Sequence, residues 1–289
     1  MGIWRQLKVR GGPDDVPHIW IGQLRIHRGQ QGIFRDLEIT SHLAESTSGV
    51  AVGILHTGTS YEDDVAEDGI IYRYPHTGRG ERDSNEIAAL KACYKLNLPL
   101  FVVITPRTKS SDRNIRLGWI QEYDDESKQA LIEFLDSDSP PSRADAQNFE
   151  QQPFTLYEER PGRYSRTKVR PNQWRFRFDV FKRYGSSCVV CGIRRLELLQ
   201  AAHLCPIEAG GSDDPRNGLV FCLTHHCAFD TGLLRIHPKT FELHVGNGVR
   251  SLEELGISRV SIANLPRPPH LDALNWAWRR LDESKNSRG

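Results

Sequence analysis

Residues 188–191, Cys-Val-Val-Cys, and residues 222–225, Cys-Leu-Thr-His, decide the reading of this chain. Each stretch places two soft or borderline ligands two residues apart. A tight turn at such a pair points both side chains inward, and two pairs complete the tetrahedron that zinc prefers. Cys188, Cys191, Cys222 and His225 are therefore expected to hold a structural Zn²⁺. Five of the six cysteines fall between Cys188 and Cys227. In a chain with no secretory features, that clustering points to metal rather than disulfides. Cys205 and Cys227 have no partner at ligand spacing. Cys93 reads as a small core residue of a helix.

Between and beside the two pairs runs QAAHLCPIEAGGSDDPRNGLVFCLTHHCAFDTGLLRI (200–236). A strand end at Ala-His-Leu is followed by a polar Gly-rich loop, then Asn217-Gly218-Leu219, then His226 and Phe229-Asp230. These residues resemble the HNH endonuclease family, of ββα-metal fold, over residues 174–237. Phosphodiester hydrolysis needs a base for water, a cation for the phosphate and leaving oxygen, and rigid positioning. The resemblance implies His203 as general base and Asn217 as the residue that orients the loop or the base. It implies His226 as a ligand of a catalytic Mg²⁺, Mn²⁺ or similar divalent ion. Asp230 reads either as a helix cap or as a further ligand of that ion. Many family members carry an Asp or His just before the catalytic His, where this chain has Ala202. Water and phosphate oxygens would then fill more of the ion's shell. His225 and His226 are adjacent, so they point differently, and one can close the zinc site while the other serves the active site. Phe229 and Leu233 read as core.

The rest of the chain sets the context. At 289 residues it is long for a single core. Charged residues make up 26% and the net charge is +1, so overall charge says nothing about a nucleic-acid partner. The stretch from Arg160 to Arg183 is locally basic, with Arg163, Arg166, Lys168, Arg170, Arg175, Arg177 and Lys182 between them. It reads either as a phosphate-contacting strip or as a solvated linker. No apolar run approaches the roughly 18 residues of a membrane span, and MGIWRQLKVRGG lacks the apolar stretch of a secretory signal. A cytoplasmic protein with no membrane partner is expected.

Residues 49–58, 69–74 and 98–105 read as strands, being β-branched or aromatic and bounded by turn residues. Residues 85–96 read as a short amphipathic helix capped by Asn85. The Ser-, Pro-, Asp- and Gln-rich stretch 136–153 marks a boundary. The expected organisation is an N-terminal domain over 1–140, a linker over 141–172, a nuclease domain over 173–265, and a C-terminal helix and tail over 266–289. Leu271, Leu274, Trp278 and Leu281 would share one face of that last helix.

In the N-terminal half, Tyr61-Glu62-Asp63-Asp64-Val65 precedes Gly69, and Tyr74-Pro75-His76-Thr77-Gly78-Arg79-Gly80 follows. With the helix and strand after them, these runs resemble the SRA (YDG) family of modified-cytosine readers over residues 18–125. The resemblance implies a PUA-like twisted β-barrel with helices, which makes the whole chain α+β. Flipping a base out of the stack costs a few kcal/mol, and stacking returns about 1–3 kcal/mol per base. Tyr61 would stack on one face of the base, and Tyr74 or His76 on the other. Asp64 would accept from the cytosine amine, with Thr77 and Gly78 lining the pocket. Pro75 and His76 depart from the family pattern, so 5-methylcytosine and 5-hydroxymethylcytosine both stay open. Tyr72 reads as core.

Together the two resemblances imply a modification-dependent endonuclease acting on double-stranded DNA, in defence against modified foreign DNA. One HNH site cuts one strand, so double-strand cleavage would require a homodimer or two binding events. The alternatives are a repair or structure-specific HNH nickase, and a non-catalytic reader scaffolded by zinc.

Overall fold

The structure is a computed structural model that describes residues 2–29, 32–43, 47–56, 65–106, 111–136, 149–159 and 173–286, with side chains to 280. The chain is α+β and divides into two compact units, residues 1–146 and 147–289.

The first unit is built on a six-stranded sheet with strand order β1-β2-β4-β5-β6-β3. The strands are β1 (Gly32–Arg35), β2 (Ala51–His56), β3 (Gly69–Arg73), β4 (Leu100–Ile104), β5 (Asn114–Asp124) and β6 (Gln129–Phe134). Neighbours are antiparallel except β2 and β4, which are parallel. No pairing joins β1 to β3 among the described residues, so the expected barrel is an open sheet in its hydrogen bonding.

The continuous apolar run of β4 has a direct cause. Successive strand side chains point to opposite faces, and here both faces are covered. Leu100 and Val102 pack in the core that includes Leu90 and Cys93 of α4 (Gly80–Lys95). Phe101 and Val103 pack in a second core with Trp4 and Leu7 of α1 (Gly2–Val9) and Ile21 of α2 (His18–Gln23). A strand buried on both faces has no polar alternation to show. A short helix, α3 (Leu37–Thr40), links β1 toward β2. Cys93 and Tyr72 are buried, as expected.

One expectation fails. Helix α4 starts at Gly80, with Arg79 at its N-cap, and Asn85 lies inside it. The earlier start follows from Asp83, which accepts from both the N–H (2.8 Å) and the hydroxyl (2.7 Å) of Thr77. Glu81 and Asp83 also put negative charge in the first turn, where the helix dipole favours it.

The second unit carries a ββα core. Helix α5 (Gln173–Tyr184) leads to the antiparallel pair β7 (Leu199–His203) and β8 (Gly218–Cys222), then to α6 (Leu223–Asp230). A small hairpin, β9 (Leu234–Ile236) and β10 (Leu243–Val245), precedes α7 (Leu271–Asn286). Phe176, Val180 and Phe181 of α5 share one core with Leu219, Phe221, Phe229 and Leu234. Leu233 packs against it. Helix α7 buries Ala273, Leu274 and Ala277 in that same core, whereas Leu271 is exposed and Trp278 half-buried.

Residues 149–159, within the stretch expected as linker, pack on this unit. Tyr157 bridges to Gly211, and the Ser212 hydroxyl donates to the Thr155 carbonyl at 2.6 Å. The basic strip is also modified. Arg177 is buried and donates to the Leu199 carbonyl at 3.0 Å. Arg183 pairs with Glu150 and donates to the Pro268 carbonyl. Their amphipathic positions on α5 turn both toward protein rather than toward a phosphate. Arg160 to Arg170 lie outside the described residues.

Candidate metal centre and active site

The first knuckle sits in the turn after α5, where the Val189 N–H donates to the Val220 carbonyl of β8. The second straddles the β8–α6 junction, with Cys222 closing the strand and His225 in the first turn of the helix. The ligand atoms of Cys188, Cys191, Cys222 and His225 lie within 4.8 Å of one another. Cys191 Sγ is 3.9 Å from Cys222 Sγ, and Cys188 Sγ is 3.7 Å from His225 Nδ1. A tetrahedral zinc with bonds near 2.3 Å spaces its sulfurs about 3.8 Å apart, so the set fits. His225 Nε2 lies 2.9 Å from the Leu255 carbonyl. With its proton held there, Nδ1 is left to ligate, the outer arrangement that metal-binding histidines use. Burial opposes ionising the Cys188 thiol. The neighbouring His225 ring and backbone N–H groups outweigh it and bring the thiol to about 6.

His203 ends β7 opposite Gly218. Its Nε2 is 3.0 Å from Asp213 Oδ1, and its ring stacks on Phe176 with centroids 3.6 Å apart at 8°. Gly218 makes that stack possible, because a Cβ there would sit 2.7 Å from Phe176 Cζ. Asp213 and Phe176 line a cleft of about 490 Å³, together with Arg175, Asp179 and Ser212.

Asn217 is fully buried. Its Oδ1 accepts from the Cys205 N–H at 2.9 Å, and its Nδ2 donates to the carbonyls of Cys205 and Ser212, both at 2.9 Å. Of the two alternatives for Asn217, these bonds belong to a loop clamp. They close residues 205–217, the loop that carries Asp213. Gly211 is part of the same closure, since a Cβ there would lie 1.9 Å from the Cys205 carbonyl oxygen.

His226 lies on α6, one residue from His225 of the Cys–His cluster, and is directed elsewhere. Its Nδ1 is 2.7 Å from Gln200 Oε1 on β7, and its Nε2 is 3.4 Å from Asp230 Oδ2. Two ligands about 2.1 Å from one ion are separated by about 3.0 Å in octahedral and 3.4 Å in tetrahedral geometry. The pair therefore fits two ligands of a divalent ion. Thr231, not Asp230, is the C-cap of α6. Among the described residues, the Cys–His set is the one group of three or more such ligands. Ala202 explains the thinness of the His226–Asp230 pair: it is wholly buried in the core and brings no ligand.

Sequence reasoning missed Asp213, Gln200 and Phe176. Asp213 had a faint signal in the polar GGSDDPRN run, but nothing there separates it from Asp214. In the structure Asp214 is committed to Arg216, through the backbone N–H at 2.8 Å and the guanidinium at 2.6 Å.

The sequence model of the HNH endonuclease family matches residues 188–237. These residues are an HNH endonuclease domain. No curated protein matches the chain. Three solved structures are similar at low identity. A modification-dependent TagI restriction endonuclease is 18% identical with a TM-score of 0.36, over 93% of this chain and 91% of that one. An SUVH5 SRA complex with fully methylated CG DNA is 19% identical with a TM-score of 0.32, over 45% and 92%. The phosphorothioation-dependent restriction endonuclease ScoMcrA is 14% identical with a TM-score of 0.28, over 89% and 57%. With scores this low, the functional reading rests on the residues of the HNH domain and of the first unit.

In the first unit, Tyr61 and Asp64 lie outside the described residues. Tyr74 is half-buried against the α4 core, and its hydroxyl donates to Asp125 Oδ1 at 3.0 Å. Burial, then the Asp125 carboxylate, pushes the Tyr74 phenol well above its ordinary range. His76, Thr77 and Gly78 are exposed, and Gly78 has a positive φ of 78°. Thr77 is tied to Asp83, which fixes the turn from which His76 projects. No helix among the described residues is long and apolar enough to cross a membrane.

Proposed function

We propose that the chain is a modification-dependent DNA endonuclease, in which the first unit accepts a flipped modified cytosine and the HNH domain hydrolyses a nearby phosphodiester. The observation that carries the reading is on β7. His203 is held against Asp213 at the strand's end, and His226, paired with Asp230, bonds to Gln200 of the same strand. The proposed base thus ends β7, and the proposed divalent-ion pair on α6 is tied to the same strand through Gln200.

His203 takes one proton from water. The resulting hydroxide oxygen bonds to phosphorus, and the P–O bond to the leaving sugar oxygen breaks. That oxygen keeps the bonding pair and gains a proton from solvent. His226 and Asp230 would hold the Mg²⁺ or Mn²⁺. When bound, the ion stabilises charge on the phosphate and the leaving oxygen. Asn217 keeps the loop closed while this happens.

For the base reader, Tyr61 and Asp64 are proposed from the motif. His76 is proposed as the second stacking residue because Tyr74 is already engaged with Asp125 and the core. Thr77 and Gly78 set the turn. An imidazole in place of a phenol alters the pocket wall, and 5-methylcytosine and 5-hydroxymethylcytosine are the bases to compare. The role of such a protein would be restriction of modified foreign DNA.

The test is cleavage of plasmids carrying cytosine, 5-methylcytosine or 5-hydroxymethylcytosine, with Mg²⁺ or Mn²⁺, beside His203→Ala. Cutting confined to a modified plasmid and lost in His203→Ala is expected. Equal cutting of all three plasmids would remove the modification reading and leave a nickase. Absence of cutting with either ion would leave a zinc-scaffolded reader.

A further inference from the structure

We propose that Asp213 is the positioning residue of the His203 base and fixes its ring in the tautomer that leaves Nδ1 free to take the proton. This deepens the nuclease reading and rests on it. An ionised carboxylate only accepts hydrogen bonds, so the 3.0 Å contact between Asp213 Oδ1 and His203 Nε2 requires the proton on Nε2. The neutral ring then has its lone pair on Nδ1. That is the nitrogen the chemistry would use, and once it is protonated the carboxylate partners the new positive charge.

The surroundings hold both partners. Phe176 lies parallel to the imidazole at 3.6 Å between centroids and covers one face, which holds the ring plane, and the Asp213 contact on Nε2 sets which way round the ring sits in it. The loop that supplies Asp213 is closed by three hydrogen bonds of Asn217. On one side the Ser212 hydroxyl is tied to Thr155. On the other, Asp214 caps the short helical turn 215–217 and is paired with Arg216. Asp214 is thereby occupied, which leaves Asp213 as the residue of the Asp-Asp pair that reaches the base. An Asn at 213 would keep the shape and change the logic. Its amide could donate to Nε2 and so stabilise the ring with the proton on Nδ1, the wrong nitrogen.

The experiment uses the full chain, a supercoiled plasmid carrying the preferred modified cytosine, and Mn²⁺ in single turnover. Asp213→Asn and Asp213→Ala are each expected to slow cleavage by roughly 10²-fold or more, the scale on which an orienting carboxylate supports a histidine base. The half-saturating DNA concentration is expected to stay within about twofold, because the interaction acts on the chemical step. Zinc content is expected to be unchanged. The double variant His203→Ala/Asp213→Ala should be no slower than His203→Ala alone, as residues acting in one unit are non-additive. Nitrogen-15 NMR of the His203 ring in the wild-type chain should report the Nε2–H tautomer.

Undiminished cleavage by both Asp213 variants, with His203→Ala inactive, overturns this proposal and leaves the nuclease reading standing. A wild-type chain that cuts no plasmid overturns the nuclease reading instead. The ring spectrum judges the tautomer independently of cleavage, and an Nδ1–H ring in the wild-type chain overturns the proposal by itself.

Discussion

His225 and His226 are consecutive residues of one helix, yet they belong to sites of opposite design. His225 is buried, completes a four-ligand set and gives its second nitrogen to a backbone carbonyl. His226 is partly exposed, has one carboxylate beside it and gives its second nitrogen to a side-chain amide. A helix turns about 100° per residue, which suffices to send the two rings to different places. The closed site offers zinc all four positions and no opening for substrate. The proposed open site would offer two, leaving room for water and phosphate oxygens. Structural and catalytic metal sites differ in this way generally, and in the proposed reading a single residue step separates them.

The largest effect that would break this comparison is on folding. Cys222→Ser, or zinc removal by a chelator, is expected to abolish the cooperative unfolding of residues 173–286, since structural zinc contributes on the order of 10 kcal/mol. Thermal melts followed by circular dichroism, with metal analysis, check this; a chelated protein that melts unchanged would mean the staple is not structural.

His226→Ala should show the reverse pattern. Cleavage is expected to fall by about 10³-fold or more, the several kcal/mol that a catalytic ion supplies, while zinc content and Tm hold. Loss of zinc in this variant would show that the two histidines are not separate.

Asn217→Ala tests the loop clamp. It leaves the Cys205 N–H and two carbonyls without their partner, at a cost of about 3 kcal/mol, read as a lower denaturation midpoint at unchanged zinc content.

The smallest effect is expected at Gln200→Leu, which removes the partner that orients His226. The Mn²⁺ concentration for half-maximal cleavage should rise about 10–100-fold, as for other outer partners of a ligand. An unchanged Mn²⁺ requirement would mean that His226 needs no help to face the ion.

Much of the second unit was legible because covalent spacing encodes it. Two ligand pairs at two-residue spacing can converge on one ion with little help from the rest of the chain, and the run 200–236 fixes the order of strand, loop, strand and helix. The apolar runs of the first unit were equally plain as strands. Helix α4 began earlier than its pattern suggested because Asp83 reaches back to Thr77, a contact with no signature in apolar periodicity. Arg177 and Arg183 read as part of a basic strip. Only the packing of α5 turned them inward, where each meets backbone carbonyls or a carboxylate.

The sequence by itself therefore singled out the Cys–His cluster that could hold zinc, the family of the HNH domain, and His203, Asn217 and His226 as the residues to examine. Tertiary structure alone decided the partners of His203 and His226. Asp213 is ten residues from His203, and Gln200 is 26 residues from His226. Each pair joins different elements, Asp213 of the loop to His203 of β7 and Gln200 of β7 to His226 of α6, so no local periodicity could reveal the contacts. The same holds for the choice between Asp213 and Asp214, which are neighbours of identical chemistry. Closure of the loop by Asn217 and capture of Asp214 by Arg216 separate them, and both depend on folded geometry.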